Sequence, residues 1–288
     1  MEYCTAQTVT EAVNLLSEEG LDVRVLAGGT DLLGQLRVGR IRPQRIVDVK
    51  SIPELHSIEE DEEGFRVGAA VCGAAIGEHA GLCAEWPGVV EATELIGSTQ
   101  IQGRASLGGN LCNASPAADT VPALIAAGAT CSVIGPAGRR DVAVEEIAEA
   151  PGKTSLAPAE IVTHFRLPRR APGSADAYLR LIPRTEMDIA VVGAGVALTI
   201  GEDGRCTACR VGLGAVAPTA LRVDEAAEAL VGRAVDEAAL EDLAAAASAA
   251  ARPIDDKRGT REYRIRVAGV LARRAAELAL ARSEEGRA

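Results

Sequence analysis

Hydrophobic positions change their period several times along the chain. Val9, Ala12, Val13 and Leu16 recur at helical spacing and Gly20 is a natural stop, so an amphipathic helix is predicted directly after Met1-Glu2-Tyr3. Val23 to Leu26 then reads as a short strand, Gly28 and Gly29 turn the chain, and a helix opens at Asp31. Arg45 to Val49 makes another strand. Between Ile58 and Val71 two apolar runs flank Glu59-Glu60-Asp61-Glu62-Glu63-Gly64, the pattern of a hairpin whose acidic turn is simply solvated. Helices are expected near Ala74 to Ala80 and Gly88 to Ile96. From Gly97 to Pro116 no helical period survives, although Gly, Ser, Asn and Gln abound. A structureless stretch of this length inside a domain is usually functional. A helix over Val121 to Ala127 and strands around Cys131 to Ile134 and Glu160 to Leu167 follow.

The pattern shifts after Arg169-Arg170-Ala171-Pro172-Gly173-Ser174, the best candidate linker. Tyr178 to Ile182, Ala190 to Ile200 and Cys206 to Ala215 read as three strands. Three Ala-rich helices close the chain, over Ala220 to Leu230, Glu237 to Ala251 and Arg261 to Arg282. Strands grouped before helices argue for an α+β fold. The expected division is a domain over residues 1–172, with subdomains of about 1–55 and 56–172, followed by a domain over 173–288.

Composition narrows the chemistry. Two Phe, three Tyr and one Trp leave Ala, Val and Leu to fill the cores, so any bound ring meets mainly aliphatic neighbours. A net charge of −11 argues against a nucleic-acid partner. The Arg-rich stretch from Arg252 to Arg274 reads as a solvated or partner-facing helix surface. No apolar run reaches the length of a membrane span and no leader is visible, so a cytoplasmic location with reduced thiols is expected for the seven cysteines. The one CxxC, Cys206-Thr207-Ala208-Cys209, lies in a strand pattern without a second ligand pair, and no metal is expected there. His56, His79 and His164 are scattered.

Two glycine turns carry the chemistry. A diphosphate needs converging backbone N–H groups at an approach that a Cβ forbids, and glycine supplies both that approach and positive φ. Gly28-Gly29-Thr30-Asp31 lies between an apolar strand and a helix start, where the helix terminus adds positive potential. Gly108-Gly109-Asn110 leads through Asn113, Ser115 and Pro116 to Asp119. Asp119 is placed either to cap the next helix or to accept a hydrogen bond from a sugar or ribityl hydroxyl. Neither segment matches GxGxxG or the Walker pattern.

Taken together these segments resemble the FAD-binding medium subunit of the molybdenum hydroxylases, the family of xanthine dehydrogenase and carbon monoxide dehydrogenase. The resemblance rests on Val25-Leu26-Ala27-Gly28-Gly29-Thr30-Asp31-Leu32 and on the run from Ser106-Leu107-Gly108-Gly109-Asn110 to Ser115-Pro116-Ala117-Ala118-Asp119. Further matches are Glu160-Ile161-Val162, Arg184 to Ala190, Gly212 to Thr219 and Arg258 to Arg264, in order over nearly the whole chain. It implies a PCMH-type FAD-binding domain and a C-terminal domain with a three-stranded antiparallel sheet and three helices. It also implies that the backbone of Leu26, Ala27, Gly28, Gly29, Thr30, Asp31 and Leu32 wraps the FAD diphosphate with that of Ser106, Leu107, Gly108, Gly109 and Asn110. Asp119 would bind a sugar hydroxyl, Ile96 and Val162 would make apolar contacts, and Arg180 would stand as a cation near the flavin.

By the same resemblance the chain is one part of a three-part enzyme. A large subunit would hold the molybdopterin, and a small subunit with two [2Fe–2S] clusters would pass electrons to FAD and on to NAD⁺, oxygen or another acceptor. No catalytic side chain is then expected in this chain, and no Cys cluster marks a further redox centre. The alternatives are a stand-alone flavin reductase related to UDP-N-acetylenolpyruvoylglucosamine reductase, and a scaffold without a cofactor.

Overall fold

Tertiary pairing adds a strand that the pattern does not show. In the computed structural model, which describes residues 1–286, the chain opens with β1 (Glu2–Thr5) instead of running straight into a helix. Four residues are too few to show alternation. β1 forms because it pairs in parallel with β3 (Arg45–Asp48), Glu2 standing opposite Arg45. β2 (Val23–Leu26) pairs with the other edge of β3, which makes a three-stranded parallel sheet in the order β1-β3-β2. α1 (Val9–Leu16) starts at Thr8, whose hydroxyl accepts the Glu11 N–H at 3.1 Å while the Glu11 carboxylate reaches back to the Gln7 N–H at 2.7 Å. α2 (Leu32–Arg37) follows the first glycine turn.

The next sheet has five antiparallel strands. The predicted hairpin is β4 (Ile58–Asp61) and β5 (Gly64–Gly68). Its acidic turn is more than solvated, since Asp61 and Glu63 bind Arg166 at 2.6 and 2.7 Å. β6 (Thr130–Gly135) pairs with β7 (Gly138–Ala143), β8 (Ala148–Ala150) and β9 (Lys153–Thr154) form a small clip, and β10 (Ile161–Pro168) runs between β5 and β6. The helices of this part are α3 (Gly73–Gly77), α4 (Ala80–Glu85), α5 (Pro87–Glu94), α6 (Thr99–Gln102), α7 (Leu107–Cys112) and α8 (Thr120–Ala126). α6 and α7 lie inside the stretch expected to be structureless. With four and six residues they are too short to display a period, and packing rather than propensity sustains them.

The C-terminal sheet is antiparallel with four strands, one more than expected: β11 (Ser174–Leu181), β12 (Val192–Ile200), β13 (Cys206–Gly214) and β14 (Leu221–Arg222). β14 occupies the start of the helix predicted from Ala220, and that helix is only α9 (Asp224–Glu228). α10 (Glu237–Ala250) and α11 (Arg261–Glu285) carry Asp236 and Thr260 as side-chain caps. The Arg-rich stretch is not wholly surface. Arg264 is 3% exposed, donates to the Val191 carbonyl at 2.9 Å and pairs with Asp256 at 2.6 Å. Residues 287–288, the end of the expected second domain, lie outside the described residues. Among the described residues no helix is long and apolar enough to cross a membrane.

Three buried clusters follow the three sheets, one around Val47 and Ile52, one around Phe65, Phe165 and Leu124, and one rich in alanine between β12, β13 and the last helices. The last two meet where α8 lies on β12 and β13. A Cβ added at Gly195 or Gly214 would stand 2.7 or 2.6 Å from Pro122 atoms, and one at Gly212 would strike the Pro122 carbonyl. Lacking side chains, these three glycines form a flat seat for α8.

Candidate functional site

Both glycine segments line one cavity of about 550 Å³ beside the parallel sheet, a size usual for cofactor sites. Their contact is backbone on backbone. A Cβ at Gly28 would strike the Arg104 carbonyl, so only glycine lets the first turn lie against the strand-like chain entering Ser106. Gln35 on α2 reaches Asn113 beyond α7 at 3.4 Å and ties the segments a second time.

The first segment is a turn in the expected sense. Gly29 has φ +77°, its carbonyl accepts the Leu33 N–H at 3.0 Å, and Asp31 starts α2 without a side-chain cap. Among the described residues the N–H groups of Gly28, Gly29, Thr30 and Asp31 have no hydrogen-bond partner. Gly28 and Gly29 are half-buried and Thr30 and Asp31 exposed, so these amides are free to donate to a ligand in the cavity.

The second segment is not a turn. Ser106 is the N-cap of α7, its hydroxyl accepting the Gly109 N–H at 3.2 Å, and neither Gly108 nor Gly109 has positive φ. The two glycines differ in what they face. Gly108 donates to the Ala69 carbonyl at 3.0 Å, and a Cβ there would stand 2.6 Å from that oxygen. Gly109 is exposed to the cavity, and its Cβ would meet only the Ser106 hydroxyl at 3.3 Å. Gly108 serves packing, whereas Gly109 keeps the wall low.

Twelve predicted residues line the cavity: Ala27, Gly28, Gly29, Thr30, Asp31, Leu32, Ile96, Ser106, Gly108, Gly109, Asn110 and Val162. Four do not. Leu26 is buried and backs the Gly29 turn, Leu107 is in the core, and Asp119 and Arg180 are elsewhere. Arg180 donates to Asp119 at 2.9 Å, and both side chains are largely buried. Burial pushes the Asp119 carboxyl up to about 6, with Arg180 opposing the rise. Asp119 does not cap α8 through its side chain. Asn110 does that work, its oxygen accepting the Thr120 N–H at 3.2 Å and the Thr120 hydroxyl at 2.6 Å.

Sequence reasoning missed Gln35, Asn113 and Cys112, which also line the cavity. Asn113 stood within the quoted motif, while Gln35 showed only as the polar residue one helical turn after Asp31. The Cys112 thiol opens on the cavity yet is ringed by protein, and that desolvation pushes it up to about 12, so it stays neutral.

The charge inventory says what can bind. Arg24 is the one cation lining the cavity among the described residues, and it is paired with Asp22 at 3.0 Å. Glu160 is likewise engaged, by Arg140 at 2.7 Å. An anion here would be met by backbone amides and a helix start, not by a side-chain cation. The remaining wall is aliphatic, with Val25, Ile41, Val49, Leu55, Ile96 and Val162, and no aromatic ring lines it among the described residues. A lining that combines free amides with aliphatic side chains fits a dinucleotide that carries a flat ring.

Comparison with known proteins agrees. A family described as the FAD binding domain in molybdopterin dehydrogenase matches residues 1–170, and the CO dehydrogenase flavoprotein C-terminal domain matches residues 177–279. The carbon monoxide dehydrogenase medium chain of Afipia carboxidovorans is 35% identical over 283 residues, covering 98% of each chain. The xanthine dehydrogenase FAD-binding subunit of Escherichia coli O157:H7 is 28% identical, with 97% of this chain and 96% of that one covered. The reconstituted CO dehydrogenase from Oligotropha carboxidovorans superposes with a TM-score of 0.94 at 35% identity, covering 98% of both chains. By these matches and by its fold, the chain belongs to the FAD-binding medium-subunit family of the molybdopterin dehydrogenases.

Proposed function

We propose that this chain is the FAD subunit of a heteromeric molybdenum hydroxylase, an electron relay between the [2Fe–2S] clusters of a small partner and NAD⁺, oxygen or another acceptor. A large partner would hold the molybdopterin and oxidise the substrate. The observation that carries the reading is the set of four unpartnered N–H groups from Gly28 to Asp31, on residues that line a cavity with no free side-chain cation among the described residues.

FAD would supply an isoalloxazine that takes electrons singly and releases them in pairs. The chain's residues would hold and orient it. The amides of Gly28 to Asp31 would take the diphosphate, Gly109 would leave room for it, and Ile96 and Val162 would contact the apolar parts. Asn110 and Gln35 would keep the two walls in register. We assign the domain division to the Arg169–Ser174 segment, with residues 1–172 forming the FAD domain, and the assembly to the cytoplasm.

The test is co-purification of the tagged chain with its genomic neighbours. A stoichiometric complex should contain FAD on this chain, two [2Fe–2S] clusters on a small partner and molybdenum on a large one. Its flavin should be reduced on adding the substrate of the large subunit. A chain that purifies alone and reduces a substrate with NADPH would overturn the relay. A chain that cannot be loaded with FAD would overturn the cofactor assignment.

A further inference from the structure

We propose that Asp176 is a proton-operated latch between the two domains, which grips the start of α5 when its carboxyl is protonated and loosens when it ionises. The device does not depend on which ligand fills the cavity. It reaches the cavity nonetheless, because α5 runs from the latch to Ile96 in the cavity wall.

Asp176 lies near the start of β11 and is 2% exposed. Its carboxyl sits at the first turn of α5, a helix with no side-chain cap from its own end. The Gly88 N–H faces that carboxyl, and a Cβ at Gly88 would stand 2.5 Å from Asp176 Oδ2, so only glycine admits it. A residue of the C-terminal sheet thus caps a helix of the domain matched over residues 1–170. Two arginines close the joint around it. Arg170, in the linking segment, donates to Asp176 at 3.1 Å and to the Glu85 carbonyl, and its guanidinium lies 5.2 Å over the Trp86 ring. Arg282, near the end of α11, donates to the Asp176 carbonyl at 2.8 Å and clasps the carboxylate of Glu91 on α5. Glu91 also accepts the Tyr178 N–H from β11 at 3.1 Å. Arg170, Glu91 and Arg282 are the charged groups that face Asp176 among the described residues. Glu85, at the end of α4, stands behind Arg170 and accepts its N–H at 2.8 Å.

The charges in this joint are unevenly shared. Arg282 is taken up by Glu91, which leaves Arg170 as the ion-pair partner of the Asp176 carboxyl. Burial pushes Asp176 up to about 7, with Glu91 adding to the rise and Arg170 and Arg282 opposing it. When α5 parts from β11, water reaches the carboxyl and it returns to the ordinary value of about 3.9. The closed joint therefore holds the proton more tightly than the open one, and linkage fixes the sign. Protonation favours closure, and closure weakens as pH rises through about 7. From about pH 6 to 8 the ratio of open to closed molecules should rise roughly tenfold.

The experiment is hydrogen–deuterium exchange of the full-length chain from about pH 6 to 9, each rate divided by the intrinsic rate at that pH. Peptides over Pro87–Glu94 report the latch, and peptides over β12 and β13 report global unfolding. In wild type the α5 amides should be less protected than the sheet and lose about tenfold of their protection from pH 6 to 8. Asp176→Asn is neutral throughout and should hold α5 protection flat to within about twofold over the same range. Arg170→Met removes the opposing cation, so the loss should begin at higher pH, a shift that a purely structural role would not produce. If Asp176→Asn does not fold, Arg170→Met decides, and an unmoved midpoint overturns the proposal. A flat wild-type profile overturns it, as does a tenfold loss that persists in Asp176→Asn. Protection of α5 that equals the sheet's at every pH would mean that only global unfolding is seen, and would overturn it as well.

Discussion

Gly108 and Gly109 are neighbours in one short helix, and the structure assigns their missing side chains opposite purposes. A methyl at 109 would project into the cavity with only the Ser106 hydroxyl nearby, at 3.3 Å. The backbone there is helical, so alanine relieves some of glycine's conformational cost, about 0.5 kcal/mol in a first turn. For a chain of this size that raises Tm by about 1–2 °C. The same methyl would hold an incoming diphosphate away from the wall. Loss of one hydrogen bond to an anion costs about 1.5–3 kcal/mol, which is roughly 10- to 100-fold in Kd. With that gain set against the tight contact with the capping hydroxyl, Gly109→Ala should melt within about 2 °C of wild type while binding FAD at least tenfold more weakly, and Gly109→Val should bind weaker still. Gly108→Ala should behave in reverse order of cause. Its methyl would press on the Ala69 carbonyl at 2.6 Å, costing about 1–3 kcal/mol of stability before any ligand is considered. Differential scanning fluorimetry of the apoproteins and FAD titration give both axes. Gly109→Ala with full FAD affinity would refute the argument, as would a stable Gly108→Ala.

Two further predictions concern stability. Gly212→Ala should lower Tm by several degrees, because its Cβ would collide with the Pro122 carbonyl where α8 sits on the C-terminal sheet, an overpacking cost of about 1–3 kcal/mol. A Tm equal to wild type would mean that the seat has slack. His164 is 6% exposed, and burial, with Arg66 and Arg139 nearby, lowers it to about 4. The unfolded chain takes up that proton below about 6.5 and the folded one only below about 4, so this contribution is complete above pH 6.5 and lost as pH falls through 4. The loss is about 3 kcal/mol at most. Asp176, which burial raises to about 7, has the opposite sign, its contribution fading as pH rises towards 7. Urea unfolding of His164→Gln against wild type isolates the histidine: the gap should narrow or reverse in the variant's favour as pH drops from 6.5 to 4, and parallel curves would contradict the assignment.

How much of this was legible beforehand depends on whether a residue's reason is local. Gly29 was readable as a turn because an apolar strand precedes it and a helix follows, and its φ of +77° is what that context demands. Gly108 and Gly109 looked alike but were misread as a second turn. Glycine signals either positive φ or a forbidden Cβ, and one sequence does not say which. Ser106 was the missed clue, since a Ser before a short run is a cap signal. β1 left no trace because its partner lies more than forty residues away. The burial of Arg264 and the Arg180–Asp119 pair, 61 residues apart, were equally invisible. Such pairings exist only once the chain has folded.

The same distinction explains why an acidic chain can offer a diphosphate site at all. Had recognition depended on Lys or Arg, the cavity would need unpaired cations, and its single one among the described residues, Arg24, is paired with Asp22. Amide dipoles need no counter-ion when the site is empty and keep their direction when it is filled. Their strength, however, depends on the turn conformation, which must be enforced from outside. Gly28 against the Arg104 carbonyl enforces it on one wall. Asn110 gripping Thr120, with α8 seated on Gly195, Gly212 and Gly214, enforces it on the other. A site that binds by backbone alone must be rigid. It follows that salt should weaken FAD binding far less than loosening either of those supports, because the described residues offer the diphosphate no free cation whose attraction salt could screen.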